Sequence, residues 1–147
     1  MALVDLIHVK NLFKSKADAQ LETEVYRELL LMVLARATDA DSYTHPAEVE
    51  VVQRVLEERL QQPIDASDIR IAARSKLYET APLEKYIARL GPRLPKSDRR
   101  NILISLVDVL KADGRVAASE VRYFNMVALA LELSFADIFE LTEEQTQ

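Results

Sequence analysis

The chain has 147 residues, of which 49% are hydrophobic and 29% charged, values typical of a single soluble globular domain. It contains no cysteine, which excludes disulfides, thiolate metal sites and cysteine nucleophiles. The net charge of −5 disfavours nucleic acid as a partner, because such binding depends largely on phosphate contacts. No apolar run approaches the roughly 20 residues that span a bilayer, and no signal peptide is recognisable, so we expect a cytoplasmic protein.

Helical periodicity dominates the first half of the chain. Apolar residues recur at helical spacing, Pro46 suits a first helical position, and Asp65 with Asp68 three residues later suits a helix start. The pattern predicts four helices, over residues 1–16, 18–38, 46–60 and 65–78.

The second half follows the same pattern. Helices are predicted over residues 80–90, 97–111 and 117–131, followed by a short last helix that Ser134 and Asp137 cap and a tail over 143–147. Gly91-Pro92 marks the end of the first of these helices. No segment alternates with a period of two, so we expect no β-sheet.

The sequence also repeats itself. A shift of 72 residues places Asp41 on Asp113 and Glu48 on Glu120, and it aligns the apolar residues on either side. The repeated units cover about 21–77 and 95–141. We therefore predict one all-α domain over residues 17–142, a single compact bundle of seven or eight helices made of two pseudo-symmetric helix–acidic turn–helix units.

The second acidic turn carries a recognisable motif. The stretch from Leu106 to Glu120, with Ala112-Asp113-Gly114 near its centre, resembles the signature of the TerB-like (tellurite resistance protein B-like) domain family. The stretch from Ala35 to Glu48 is similar to that family's first, more degenerate copy. Two residues depart from the pattern: Ser42 replaces a glycine, and Ala117 stands where a capping serine or threonine is common.

The resemblance covers about residues 21–141. It implies a compact all-helical fold, metal binding, and a link to tellurite resistance and stress responses in bacteria. Related domains are attached to other modules, including a J-domain co-chaperone. The tellurite link comes from the resemblance alone, because no residue here is a plausible ligand for a tellurium oxyanion.

The acidic turns supply the candidate metal ligands, which are Asp41, Glu48, Asp113 and Glu120, with Asp39 and Asp108 as additional candidates. If the two turns meet, their like charges are unfavourable unless they are protonated or bridged by a cation. Such an oxygen-rich cluster favours Ca²⁺ or a similar divalent ion. The alternative is structural: a helix dipole favours Glu120 in a first turn, and Asp113 accepts backbone N–H bonds.

Other kinds of site are disfavoured. An EF-hand loop in the first turn would need glycine where Thr44 stands. His8 and His45 have no serine nucleophile in a recognisable motif, and Gly91 and Gly114, the two glycines, form no phosphate-binding loop. We therefore expect no enzymatic activity and no catalytic residue.

Two functions remain open. The first is a non-catalytic TerB-like module that binds a divalent cation in a bacterial stress or tellurite-resistance context. The alternative is a protein–protein interaction module, co-chaperone-like or regulatory, that binds no metal. Its partner would be another protein, a membrane-associated complex or a second copy in a homodimer. A basic run is interpreted as a solvated face or as a docking site for an acidic partner or membrane; it comprises Arg89, Arg93, Lys96, Arg99 and Arg100.

Overall fold

A computed structural model describes residues 18–39, 47–74, 80–112, 118–134 and 136–138. Within these ranges the chain forms helices and no β-strand. The elements are α1 (Asp18–Arg36), α2 (Val49–Leu60), α3 (Ala66–Arg74), α4 (Thr80–Leu90), a 3-10 helix (Gly91–Arg93), α5 (Lys96–Leu110) and α6 (Ala118–Ala130). The predicted all-α fold class is confirmed. The helix predicted over residues 1–16 and the tail over 143–147 lie outside the described residues.

Helix α1 lies at the centre of the bundle. Leu29, Leu30, Met32, Val33 and Leu34 are consecutive or nearly so, and all are fully buried. This C-terminal half of α1 is buried on nearly every side and must therefore be surrounded by neighbours, whereas Thr23 and Arg27 in the N-terminal half are exposed. The neighbours of α1 are α3 and α5, with α2, α4 and the 3-10 helix completing the surroundings.

The connection between α2 and α3 is fixed by hydrogen bonds. Gln61 ends α2 in the left-handed conformation with φ of 56°, and its N–H donates to Glu57 O at 2.9 Å. The amide of Gln53 donates to Ile64 O at 2.7 Å, and Ile64 N–H donates to the Glu57 carboxylate at 3.0 Å. Both polar groups of the Ile64 backbone are thereby bonded to side chains of α2.

The 3-10 helix sits where α4 meets the end of α6. A Cβ atom on Gly91 would lie 2.7 Å from Leu131 Cδ2, closer than real Cβ contacts allow. The glycine predicted to stop a helix therefore also permits a close approach between chain segments. Arg99 of α5 reinforces the same corner by donating to Leu131 O at 2.9 Å.

Helices α5 and α6 complete the core. The buried residues of α5 include Ile102, Leu103 and Leu106, which recur at helical spacing. From α6, the buried Tyr123 hydroxyl donates to Val33 O of α1 at 2.7 Å. This hydrogen bond joins residues 90 positions apart in the chain.

Candidate functional site

Glu120 lies in the first turn of α6, directly after the second acidic turn. It is 3% exposed, which makes it one of few buried charged residues in the described part of the chain. Burial disfavours an ionised carboxylate, whereas the positive end of a helix dipole favours it. A carboxylate in this position has the oxygen ligands that a hard cation requires.

Glu48 occupies the corresponding place before α2 but in different surroundings. It is the N-cap residue of the helix, is exposed to solvent, and forms no side-chain capping hydrogen bond. The backbone holds the two ends of this turn together, because Ala47 N–H donates to Ala37 O at 2.8 Å. The Glu48 carboxylate is thus held near the end of α1 and stays accessible to a ligand.

The two additional candidates, Asp39 and Asp108, each bind an arginine. Arg36 Nη1 lies 3.2 Å from Asp39 Oδ2, and both side chains are largely buried. Arg59 of α2 binds Asp108 of α5 through a short Nη2–Oδ2 contact. Each carboxylate therefore already has a cationic partner, which gives it a structural role beside the predicted ligand role.

The remaining predicted ligands, Asp41 and Asp113, lie outside the described residues, as do His8 and His45. Among the residues that are described, no group of three or more histidine, aspartate or glutamate side chains could hold a metal ion. The structure thus places Glu48 and Glu120 but does not test whether the four carboxylates meet. The predicted metal site stays a prediction.

An apolar groove adjoins Glu120. It has a volume of about 170 Å³ and lies between the end of α5 and the start of α6, lined by Val107, Leu110, Lys111, Glu120, Val121 and Phe124. Sequence reasoning missed this groove, in which Phe124 is half-buried and packs against the core. In the structure the groove is marked by Val121, an apolar residue that is 45% exposed.

A polar network that the sequence did not reveal links α2 to α5. Arg59 Nε donates to Ser105 Oγ at 2.9 Å, and Ser105 Oγ donates to Asn101 O at 2.7 Å. Ser105 is fully buried among apolar residues of α5. A serine within that apolar pattern was the available signal, because a buried hydroxyl needs hydrogen-bond partners.

The pKa values of two groups, Tyr26 of α1 and Asp98 of α5, are shifted from their ordinary values. Burial raises the pKa of the Tyr26 phenol, the Asp98 carboxylate raises it further, and Arg59 acts in the opposite direction. Burial also raises the pKa of Asp98. These shifts follow from packing between helices, and a clustered acid and base in a substrate pocket would be needed to infer catalysis from them.

Two residues of the basic run, Lys96 and Arg99, form polar contacts within the chain. Lys96 Nζ lies 3.0 Å from Asp137 Oδ1, and Arg99 binds the carbonyls of Leu94 and Leu131. Asp137 also accepts hydrogen bonds from Ser134 N–H at 2.9 Å and Ser134 Oγ at 2.8 Å. The Ser134 backbone N–H and Lys96 hold the pKa of Asp137 at about 2, below its ordinary value.

The same pair caps the start of the last helix reciprocally, because Asp137 N–H donates to Ser134 Oγ at 3.2 Å. The predicted cap is therefore present. Lys96 and Arg99 connect α5 to this end of the chain, while the Lys96 side chain remains 56% exposed. Both interpretations of the run, as a solvated face and as a docking site, stay predictions.

Comparison with known proteins gives one result. The family model described as tellurite resistance protein TerB matches residues 27–142. No curated protein and no solved structure matches the chain. None of the helices in the described ranges has the length and apolar composition that a membrane crossing requires. Because the family match spans most of the chain, the protein belongs to the tellurite resistance protein TerB family.

Proposed function

We propose that this TerB-family protein is a non-catalytic module that binds a hard divalent cation, Ca²⁺ or similar, through its acidic turns. The predicted ligands are Asp41, Glu48, Asp113 and Glu120. Tellurite resistance is the context that the family description suggests, and a bacterial stress response is the wider context that the resemblance implies. In this proposal the two turns meet, and the cation would neutralise charge that four carboxylates brought together cannot hold alone.

The burial of Glu120 is the observation that carries this proposal. A surface glutamate in a first helical turn gains from the dipole without leaving water. Glu120 is instead 3% exposed at the end of the segment that contains Asp113. Burial of a carboxylate has to be compensated by hydrogen bonds, by a cationic side chain or by a bound cation, and a bound cation at the adjoining acidic turn is the contribution that we propose. Exposed Glu48 supplies a carboxylate that is not used in capping.

The test is a calorimetric and NMR titration of the protein with Ca²⁺, Mg²⁺, Mn²⁺ and Zn²⁺. We expect saturable binding, with shifts confined to the two turns, that is lost in the Asp113→Asn/Glu120→Gln variant. The Glu58→Gln/Glu84→Gln variant is the matched control, because it removes two negative charges from exposed positions of α2 and α4. Absence of binding by the folded protein, or equal loss in both variants, would rule out the proposal.

The second candidate is a protein–protein interaction module that binds no metal. The apolar groove between α5 and α6 favours it, because exposed apolar surface is a common feature of interaction sites. It predicts partner binding that survives chelation of divalent ions. Electrostatic contacts of the acidic turns would also make that binding weaken with salt.

A further inference from the structure

One face of α6 carries an exposed stripe of two apolar residues with an asparagine between them. Val121, Asn125 and Leu129 follow each other at four-residue spacing, which places them on the same side of a helix. Val121 is 45% exposed, and Leu129 is 73% exposed. A single exposed leucine is ordinary, but this one lies on the same helix face as the rim of the apolar groove.

The groove is large enough for an aliphatic side chain. Its volume is about 170 Å³, and its apolar lining comes from Val107, Leu110, Val121 and Phe124. A cavity of about 150 Å³ lined by similar residues accommodates benzene, which has six carbon atoms. The leucine side chain has four, so it fits with room for its approach.

Leu129 cannot reach the groove of its own chain. Eight residues separate it from Val121, and at about 1.5 Å per residue this amounts to roughly 12 Å along the helix. The molecule therefore displays an apolar projection and an apolar recess on one surface. Such a surface is complementary to itself when a twofold axis relates two copies.

We infer that a second copy of this chain docks against α6, with the two α6 helices antiparallel across a twofold axis at Asn125. Val121 and Leu129 lie four residues on either side of Asn125, so the axis places Leu129 of each copy opposite the groove of the other. The two Asn125 side chains meet at the axis. Each amide has both donors and an acceptor, so identical side chains can bond to each other.

The charges beside the stripe fit the same arrangement. Glu132 follows one turn after Leu129, and its N–H donates to Leu129 O at 3.0 Å. The twofold axis brings Glu132 opposite Ala118 of the second copy, at the start of its α6. Lys111 and Glu120 both line the groove at that end, but Lys111 is exposed whereas Glu120 is 3% exposed, so Lys111 is the lining charge that a second copy can reach. The helix N-terminus adds positive potential. Neither Lys111 nor Glu132 forms an ion pair with a described residue of its own chain.

The segment that follows Leu129 is tied to α5 by a hydrogen bond. Glu132 adopts φ of 57°, a left-handed conformation that costs energy for a residue other than glycine. Arg99 fixes the preceding carbonyl, Leu131 O, at 2.9 Å. A segment that is ordered before it binds loses less conformational entropy on binding.

The test is sedimentation equilibrium of the full chain over a concentration series, in EDTA so that cation binding does not contribute. We expect a reversible dimer whose dissociation constant rises at least tenfold in Leu129→Glu. Ile71→Glu is the matched control, because Ile71 of α3 is 54% exposed and lies outside the stripe. It should leave the dimer unchanged. A chain that stays monomeric up to about 1 mM would overturn the inference, as would equal weakening by both variants.

Two further variants test the orientation. Lys111→Glu and Glu132→Lys should each weaken the dimer, and the double exchange should restore it because the opposite charges meet again. Since the chain has no cysteine, Asn125→Cys should form a disulfide-linked dimer on mild oxidation. A dimer that neither cross-links through this variant nor responds to the charge exchange would use another surface, and the inference would be wrong.

Discussion

The two predicted repeat units bury matching residues of their first helices but differ in the burial of their matching glutamates. Positions 72 residues apart, such as Leu30 with Ile102 and Leu34 with Leu106, are fully buried in both units. Glu48 is exposed, whereas Glu120 in the matching position is 3% exposed. These two pairs of apolar residues are therefore buried in both units, whereas the glutamate is buried only in the second unit. The twofold relation between the units stays a prediction.

The largest effect should come from matched truncations in the two cores. Leu34→Ala and Leu106→Ala should each lower the free energy of unfolding by about 3 kcal/mol, because each removes a fully buried side chain. Urea denaturation measures both. Ile71→Ala, at an exposed site, should change it by about 0.5 kcal/mol or less. A small cost for one leucine alone would show that the units do not share one core.

The next largest loss of stability should come from breaking the polar contacts that join α2 of the first unit to α5 of the second. Arg59→Ala should lower the free energy of unfolding by about 1–2 kcal/mol, because Ser105 and Asp108 lose their partner. Asp108→Asn should cost less, about 0–1 kcal/mol, since that ion pair is partly exposed. A double-mutant cycle in urea measures the coupling. Additive effects would contradict a shared network.

Tyr123 provides a contact that the first unit lacks, since Val51 stands 72 residues earlier. Tyr123→Phe should cost about 1 kcal/mol in unfolding free energy, because the buried hydroxyl bond to Val33 O is lost. Thermal and urea unfolding should agree on the change. Unchanged stability would mean that the hydroxyl makes no net contribution.

The smallest effect is a dependence on pH at the last helix. Asp137 has a folded pKa of about 2, below its ordinary 3.8, so its charged form stabilises the folded state. This contribution is complete above pH 3.8 and is lost as the pH falls through about 2. The stability difference between wild type and Asp137→Asn should therefore shrink over that interval in acid denaturation. A pH-independent difference would contradict the assignment.

Sequence patterns located the helices well because caps and periodicity are local. Predicted and observed bounds coincide for Thr80–Leu90 and differ by one or two residues at several other ends. Gly91-Pro92 correctly marked the end of α4, although a 3-10 helix continues there. Periodicity shows which face of a helix is apolar but not which helix covers it. The central position of α1 therefore had to come from the structure.

The candidate site was harder to predict from the sequence, because local patterns do not show which helices pack against each other. Residue type and spacing identified Glu48 and Glu120, yet their different burial depends on the surrounding helices. The Arg59–Ser105 bond joins residues 46 positions apart, and no local pattern specifies such a pair. The groove beside Glu120 likewise arises from the angle between two helices, which the sequence does not state.

The central position of α1 also affects folding during synthesis. The ribosome completes α1 before α3, α4 and α5, which cover it, and translation proceeds at about 5–20 residues per second. For several seconds, a helix whose C-terminal half carries apolar residues on every side has no stable cover. A nascent chain that ends before Lys96 should therefore bind general chaperones and remain protease-sensitive, whereas the chain extended through α6 should become resistant.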